Sequence, residues 1–220
     1  SSLNVNTSKN HPLASLLVAA CSARKAQQHA EDFILFVRGQ FETFFGSNSL
    51  SSVEPMLDEL SNISKSFQNL YNTALDELAT TMDVGIKDAI KSTDLLYGEK
   101  YDLESDEYQD RQVNDLFANK IIDHLHCKKN LLQRCKHFMT TNDYADLVKT
   151  VSSHLSNIVE KAWIQMRVNV NGGLMMDRDL RTLIDQISDN ELESGSVRSC
   201  FSRLTALVWL VNLENPSVLI

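Results

Sequence analysis

From Met56 to Met82 the chain holds neither glycine nor proline. Within that stretch Met56, Leu60, Ile63, Phe67, Leu70, Ala74, Leu78 and Met82 recur three or four positions apart. Apolar residues at that period line one stripe of an α-helix and cannot line one face of a strand. The seam runs for about four heptads and reads as a long helix packed along another helix.

The rest of the chain has the same character. Of 220 residues only 7 are glycine and 3 proline, and 43% are hydrophobic. Few breakers and a sizeable apolar fraction suit long helices with a buried core and exclude a many-stranded barrel. Asn10 is placed to cap a first helix, with Pro12 in its first turn and Gly46 beyond its end. Gly39 costs that helix about 1 kcal/mol relative to alanine. Ser52 opens the seam helix, with Pro55 in its first turn. A shorter helix is expected over 84–93. Val113, Leu116, Phe117, Ile121, Leu125, Leu132 and Phe138 mark one further helix. "TNDYADLVKT" begins the next, with an Asn/Asp cap, and its stripe runs from Tyr144 to Met166. Two helices close the chain, one through Leu180, Leu183, Ile184 and Ile187, the other over 197–211. Phe33, Phe41, Phe67 and Trp163 fall at helical spacing and are expected in the core.

The expected fold is therefore all-α, with about seven helices. A helix from Pro12 to Phe45 is roughly 50 Å long at 1.5 Å per residue. A compact chain of this size has a radius of gyration of only about 17 Å. Helices of that length lie side by side, and the expectation is elongated antiparallel bundles stacked as a rod. Between them "GEKYDLESDEYQD" sets six acids against one lysine without helical period. It reads as a solvated, mobile linker over 98–110. The domain expectation is a helical bundle over 1–168 containing that linker, and the start of a second bundle over 169–220.

Charge narrows the function. The net charge is -8, from 29 acids and 21 bases, and no basic stripe stands out, so a nucleic-acid partner is not expected. No apolar run approaches the roughly 20 residues that span a bilayer. The polar start "SSLNVNTSKN" lacks a signal-peptide core and reads as the edge of an excised fragment. Four scattered cysteines, Cys21, Cys127, Cys135 and Cys200, suit a reduced cytosolic setting.

Two local features carry a suspicion of chemistry. Gly172 and Gly173 are the only adjacent glycines. A phosphate-cradling loop would need a preceding strand and a nearby lysine, and neither is expected here. The pair reads instead as a joint, with left-handed backbone reversing the chain after a helix that ends near Val168. Asp177 then caps the next helix, Asp179 favours the positive end of its dipole, and Arg181 is paired or solvated. The second feature is "HLHCKKNLLQRCKH", which gathers His124, His126, Cys127, Cys135 and His137. One straight helix cannot wrap four ligands around an ion, so a core filled by cysteines and edged by histidines is the favoured reading over a metal site. No triad or positioned carboxylate pair is present. No catalytic, cofactor-binding or metal-binding residue is expected.

The last third carries a resemblance. "SSHLSNIVEKAWIQMRVNVNGGLMMDRDLRTLI", followed by "FSRLTALVWLVNLE", resembles the carboxy-terminal region of the family of subunit four of the conserved oligomeric Golgi complex. Gly172, Gly173, Leu174, Asp177, Asp179, Leu180, Arg181, Leu183 and Ile184 match its first motif. Phe201, Arg203, Leu204, Asn212, Leu213 and Glu214 match its second. On a wheel of 197–211, Arg203 sits at the edge of the apolar stripe, where an arginine lays its methylenes on the core and meets a carboxylate of a neighbouring helix.

The resemblance implies a CATCHR-type tethering fold without catalysis. It implies a peripheral place on the cytoplasmic face of the Golgi and in the cytosol, and work in retrograde intra-Golgi transport that maintains glycosylation enzymes. Its implied partners are the other subunits of the complex. Golgi SNAREs and SM-family proteins are implied to contact the family's long amino-terminal portion, outside this chain. The structural or interaction candidates are Gly172, Gly173, Asp177, Asp179, Arg181, Arg203 and Glu214. The alternatives are another cytosolic helical adaptor, exocyst-like or cytoskeletal, and a metal-binding helical enzyme resting on the His/Cys cluster.

Overall fold

The structure, a computed structural model, describes residues 12–46, 52–92, 101–113, 116–126, 131–191 and 194–213. It is all-α: 89% of it is helical, and no strand occurs among the described residues. The helices are α1 (Pro12–Phe45), α2 (Glu54–Ser92), α3 (Ser105–Val113), α4 (Leu116–His126), α5 (Leu131–Lys136), α6 (Thr141–Trp163), α7 (Val170–Glu191), α8 (Ser194–Cys200) and α9 (Ser202–Val211). The chain divides into two compact units, Ser1–Leu78 and Ala79–Ile220. The division falls inside α2, and residues on both sides of the expected boundary at 168–169 lie in the second unit.

In the first unit α1 and α2 run antiparallel. Arg24 donates to Gln68 at 3.2 Å, Ser64 donates to Glu31 at 3.1 Å, and Arg38 pairs with Glu54 at 2.9 Å. Ala20, Ala23 and Gln27 are the buried positions of α1. Leu57, Ser64, Tyr71, Ala74, Leu75 and Leu78 are those of α2, and Arg24 lies over the Tyr71 ring. The expected seam is thus rotated by one residue over its first half. Met56, Ile63 and Leu70 are 66%, 48% and 51% exposed, while their successors Leu57, Ser64 and Tyr71 are buried. Phe33, expected in the core, is 52% exposed.

In the second unit α7 is central, packing against α3, α4, α8 and α9. α6 packs against α5, α8 and α9, and buries Tyr144, Leu147, Val148, Val151, Leu155, Val159 and Ala162 along the expected stripe. Its cap is Thr140, not the Asn/Asp pair. The Thr140 hydroxyl accepts from the Asp143 amide at 3.2 Å and donates to Asp143 Oδ2 at 2.7 Å, so the cap is held by the residue whose N–H it satisfies. Ala79, Met82, Ile86 and Ile90 of α2 belong to this unit's core.

Four expectations are corrected here. The helix expected over 84–93 is the continuation of α2. Gly85 does not break it; a Cβ there would come within 2.5 Å of His124 Nε2, so the glycine makes room for a ring. The helix expected through Phe138 is represented by α4 and α5, with Phe138 69% exposed beyond the end of α5. The helix expected over 197–211 is broken at Phe201 into α8 and α9, where φ is -101° and ψ is 10° and the ring is fully buried. The acidic segment is not a loose linker throughout: Tyr101 and Leu103 are buried and Ser105–Val113 is helical, while 98–100 lie outside the described residues.

Candidate functional site

The family-like residues converge at the start of α7, and they do so without a Gly-Gly turn. α6 ends at Trp163, and a short connection leads to Asn169. Asn169 caps α7: its Oδ1 accepts from the Gly172 amide at 2.8 Å, and its carbonyl accepts from the Gly173 amide at 2.8 Å. Asparagine is among the best residues for this task, because its side-chain oxygen meets the third helical N–H. Gly172 and Gly173 are therefore first-turn residues of α7, not a reversal. Among the described residues, the glycine with positive φ is Gly46.

The two glycines serve close approach. Asn169 N–H donates to the Tyr101 carbonyl at 3.1 Å, Asn169 Nδ2 donates to the Leu103 carbonyl at 2.9 Å, and Asn171 Nδ2 donates to the same carbonyl at 3.2 Å. Tyr101 and Val168 form an isolated parallel bridge. This pulls the extended segment at 101–103 onto the first turn of α7 so tightly that a Cβ on Gly172 would collide with the Tyr101 carbonyl. On Gly173 it would meet Asn212 Oδ1 at 2.6 Å. Asn212 ends α9 and donates from Nδ2 to the Gly173 and Val208 carbonyls, each at 2.9 Å. One helix turn thus holds two chain segments distant in sequence.

The carboxylates divide between interior and surface. Asp179 is buried, and its Oδ2 accepts from the Tyr101 hydroxyl at 2.6 Å. The Tyr101 ring meets Trp163 edge-on with centroids 5.9 Å apart, and Trp163 also contacts Phe117. Asp177 does not cap a helix; it lies within α7 and pairs with exposed Arg181 at 2.8 Å, four residues on. Beside them Arg198 reaches Asp185 at 3.4 Å. These pairs edge a cleft of about 640 Å³ between α7 and α8–α9, floored by Leu180 and Ile184. Arg203 of α9 donates to Glu160 of α6 at 2.7 Å, the neighbouring-helix carboxylate expected, though Arg203 itself is 79% exposed and does not lie along the core. Glu214 lies outside the described residues.

The His/Cys cluster does not assemble among the described residues. His124 is half-buried against Gly85, Cys135 is buried, and His137 is exposed past the end of α5. The His126 side chain and Cys127 lie outside the described residues. Among the described residues no three His, Cys, Asp or Glu side chains are grouped to hold a metal ion.

An apolar surface is the other functional feature. On α2 the exposed Met56, Ile63 and Leu70 each precede a buried residue and so lie about 100° to one side of the buried stripe. On α1 the exposed Phe33 and Phe44 stand at a similar angle and in the same sense from the stripe of Ala20, Ala23 and Gln27. Because the helices are antiparallel, both sets face the same side of the hairpin. These exposed apolar side chains make that side of the hairpin a candidate interaction surface. Sequence periodicity detected these side chains but placed Met56, Ile63, Leu70 and Phe33 inside.

Among the described residues no helix is long and apolar enough to cross a membrane. The family profile described as "Conserved oligomeric Golgi complex subunit 4, C-terminal" matches residues 4–219. Conserved oligomeric Golgi complex subunit 4 of Arabidopsis thaliana is 27% identical over 176 residues, covering 80% of this chain and 23% of its own length. The subunit 4 proteins of Homo sapiens and Pongo abelii are each 25% identical over 173 residues, covering 77% of this chain and 21% of their own length. The chain thus spans between 21% and 23% of the length of these relatives. With the match running through both compact units, this chain belongs to the family of the carboxy-terminal region of conserved oligomeric Golgi complex subunit 4.

Proposed function

We propose that this chain is a non-catalytic part of a vesicle-tethering complex and acts through helix faces that bind other subunits of the conserved oligomeric Golgi complex. Its place is the cytoplasmic face of the Golgi membrane, in retrograde intra-Golgi transport that keeps glycosylation enzymes where they work. The observation that carries this reading is the family match over residues 4–219, seen together with an exposed apolar face on a two-helix hairpin. A hairpin with Phe33, Phe44, Met56, Ile63 and Leu70 in solvent gains most by laying a further helix along that face, since burying one such side chain is worth about 1.5–3 kcal/mol. Gly172, Gly173 and Asp179 serve in this reading as internal fasteners of the second unit. Asp177 and Arg181 form its polar surface beside the cleft between α7 and α8–α9, and Arg203 links α9 to Glu160 of α6. Contacts with SNAREs and SM-family proteins belong to other parts of the family's longer chains. A pull-down of the purified chain against each of the other subunits tests the reading. Stoichiometric capture of at least one subunit supports it, and capture of none, singly or as a preassembled set, contradicts it.

A further inference from the structure

A second surface differs in chemistry from the apolar hairpin. In the second unit a cleft of about 500 Å³ opens between α2 and α6. Its floor is apolar, formed by buried Ile90 and Ala162 with half-buried Ile158. Its walls bring together Lys87 and Lys91 of α2 and Lys161 of α6. All three lysines are exposed and carry no ion pair among the described residues. The carboxylate that lines the cleft, Asp83, is engaged by His154 Nδ1 at 3.0 Å. Three lysines therefore face one carboxylate, Asp83, in this cleft, on a chain whose net charge is -8.

Shape and chemistry select the occupant. From Asp83 to Lys91 the α2 wall runs about 12 Å, and from His154 to Ala162 the α6 wall runs about 12 Å, at 1.5 Å per residue. That is two to three turns of helix. Exposed Val84 lies three residues before Lys87 on α2, and exposed Ile164, the C-cap of α6, lies three residues after Lys161, so apolar surface continues past the lysines. A phosphate or a lipid headgroup would satisfy the lysines and leave this apolar surface uncovered. An amphipathic helix with acids on its flanks satisfies both.

We propose that the α2–α6 cleft binds an acidic amphipathic helix of a protein partner, its apolar side chains on Ile90, Ile158 and Ala162 and its carboxylates on Lys87, Lys91 and Lys161. Such docking holds whether or not the chain tethers vesicles, because the cleft belongs to the second unit and the hairpin face to the first.

The test is a fluorescence-anisotropy titration of the full chain with a labelled helical peptide of about 18 residues, leucine along one stripe and glutamate on both flanks. Binding with a Kd on the order of 10–100 μM is expected. It should weaken at least about tenfold in Lys87→Glu/Lys161→Glu and again as salt is raised. A peptide with lysine in place of glutamate should regain binding to that double variant. Lys91→Glu alone serves as a second variant should the double one lose its helical circular-dichroism signal. No binding up to about 1 mM, or equal affinity for parent and variants, overturns the proposal. It is overturned equally if a leucine-to-serine version of the peptide binds as well as the original. The same holds if inositol hexakisphosphate or phosphatidylserine vesicles bind at the lysines and the peptide does not.

Discussion

Tyr101 and Asp179 stand 78 positions apart in sequence and meet in the interior of the second unit, the phenol donating to the carboxylate at 2.6 Å. The bond ties the segment before α3 to the middle of α7, and the Tyr101 ring packs at the same time on Trp163. Tyr101→Phe keeps the ring and removes the donor. A hydrogen bond to a buried charged group is worth about 1.5–3 kcal/mol, and urea unfolding should show a loss of that order. In a double-mutant cycle with Asp179→Ala, which removes the acceptor, the two losses should not add. Additive losses would mean that the bond contributes nothing of its own.

Alanine at two glycines should change stability in opposite directions. Gly39 lies within α1 with open space around it, so Gly39→Ala should stabilise by about 0.5–1 kcal/mol. Gly172→Ala forces a methyl against the Tyr101 carbonyl, where backbone must move, and should cost 1–3 kcal/mol or about that. Gly173→Ala presses on the Asn212 side chain, which can turn aside, and should cost less than Gly172→Ala. Denaturant midpoints of the three variants check the order. Equal effects at Gly39 and Gly172 would remove the close-approach explanation.

Native-state proteolysis reads the acidic segment directly. Tyr101 and Leu103 are buried and hydrogen-bonded through their carbonyls to Asn169 and Asn171. Chymotrypsin should therefore spare the bonds after Tyr101 and Leu103 in the folded chain, and Tyr101→His, which removes one of the two anchors, should open the bond after Leu103 to cleavage. Early cleavage after Tyr101 in the parent would restore the reading of this stretch as a loose linker.

How far the sequence carried can be judged from individual residues. Helix type and most of the second unit's core were legible, because stripes such as Leu147, Val151, Leu155 and Val159 have one apolar side and bury it. The α2 register was not. Both the 56–63–70 stripe and its neighbour hold apolar residues, and which one turns inward depends on what α1 offers, small alanines and a hydrogen-bonding Gln27. The acidic segment misled because Tyr101 and Leu103 are two anchors among six acids, and composition averages them away. Gly172 and Gly173 were read as a chain reversal, and the structure gives them a different task in the first turn of α7. A glycine needed for close approach looks the same in sequence as one needed for a turn, and only the position of the Tyr101 carbonyl distinguishes them. Arg203 found its carboxylate, but on a helix 43 positions earlier, a pairing that local spacing does not reveal.

That pairing should matter modestly. Arg203 is mostly exposed and Glu160 is 14% exposed, so Arg203→Ala should cost no more than about 1 kcal/mol in thermal or urea unfolding. A loss several times larger would mean that Arg203 holds α9 to α6 more firmly than a surface ion pair does.

The central claim is that the chain works by offering helix faces to other subunits, and the hairpin face tests it most directly. Phe33→Asp/Ile63→Asp places two charges on exposed positions of α1 and α2, so helicity and unfolding midpoint should stay near those of the parent. Affinity for the captured Golgi-complex subunit, measured by titration calorimetry, should fall by at least about a hundredfold, as expected when charge enters the centre of an apolar interface. A folded double variant that binds the subunit as tightly as the parent would contradict the account.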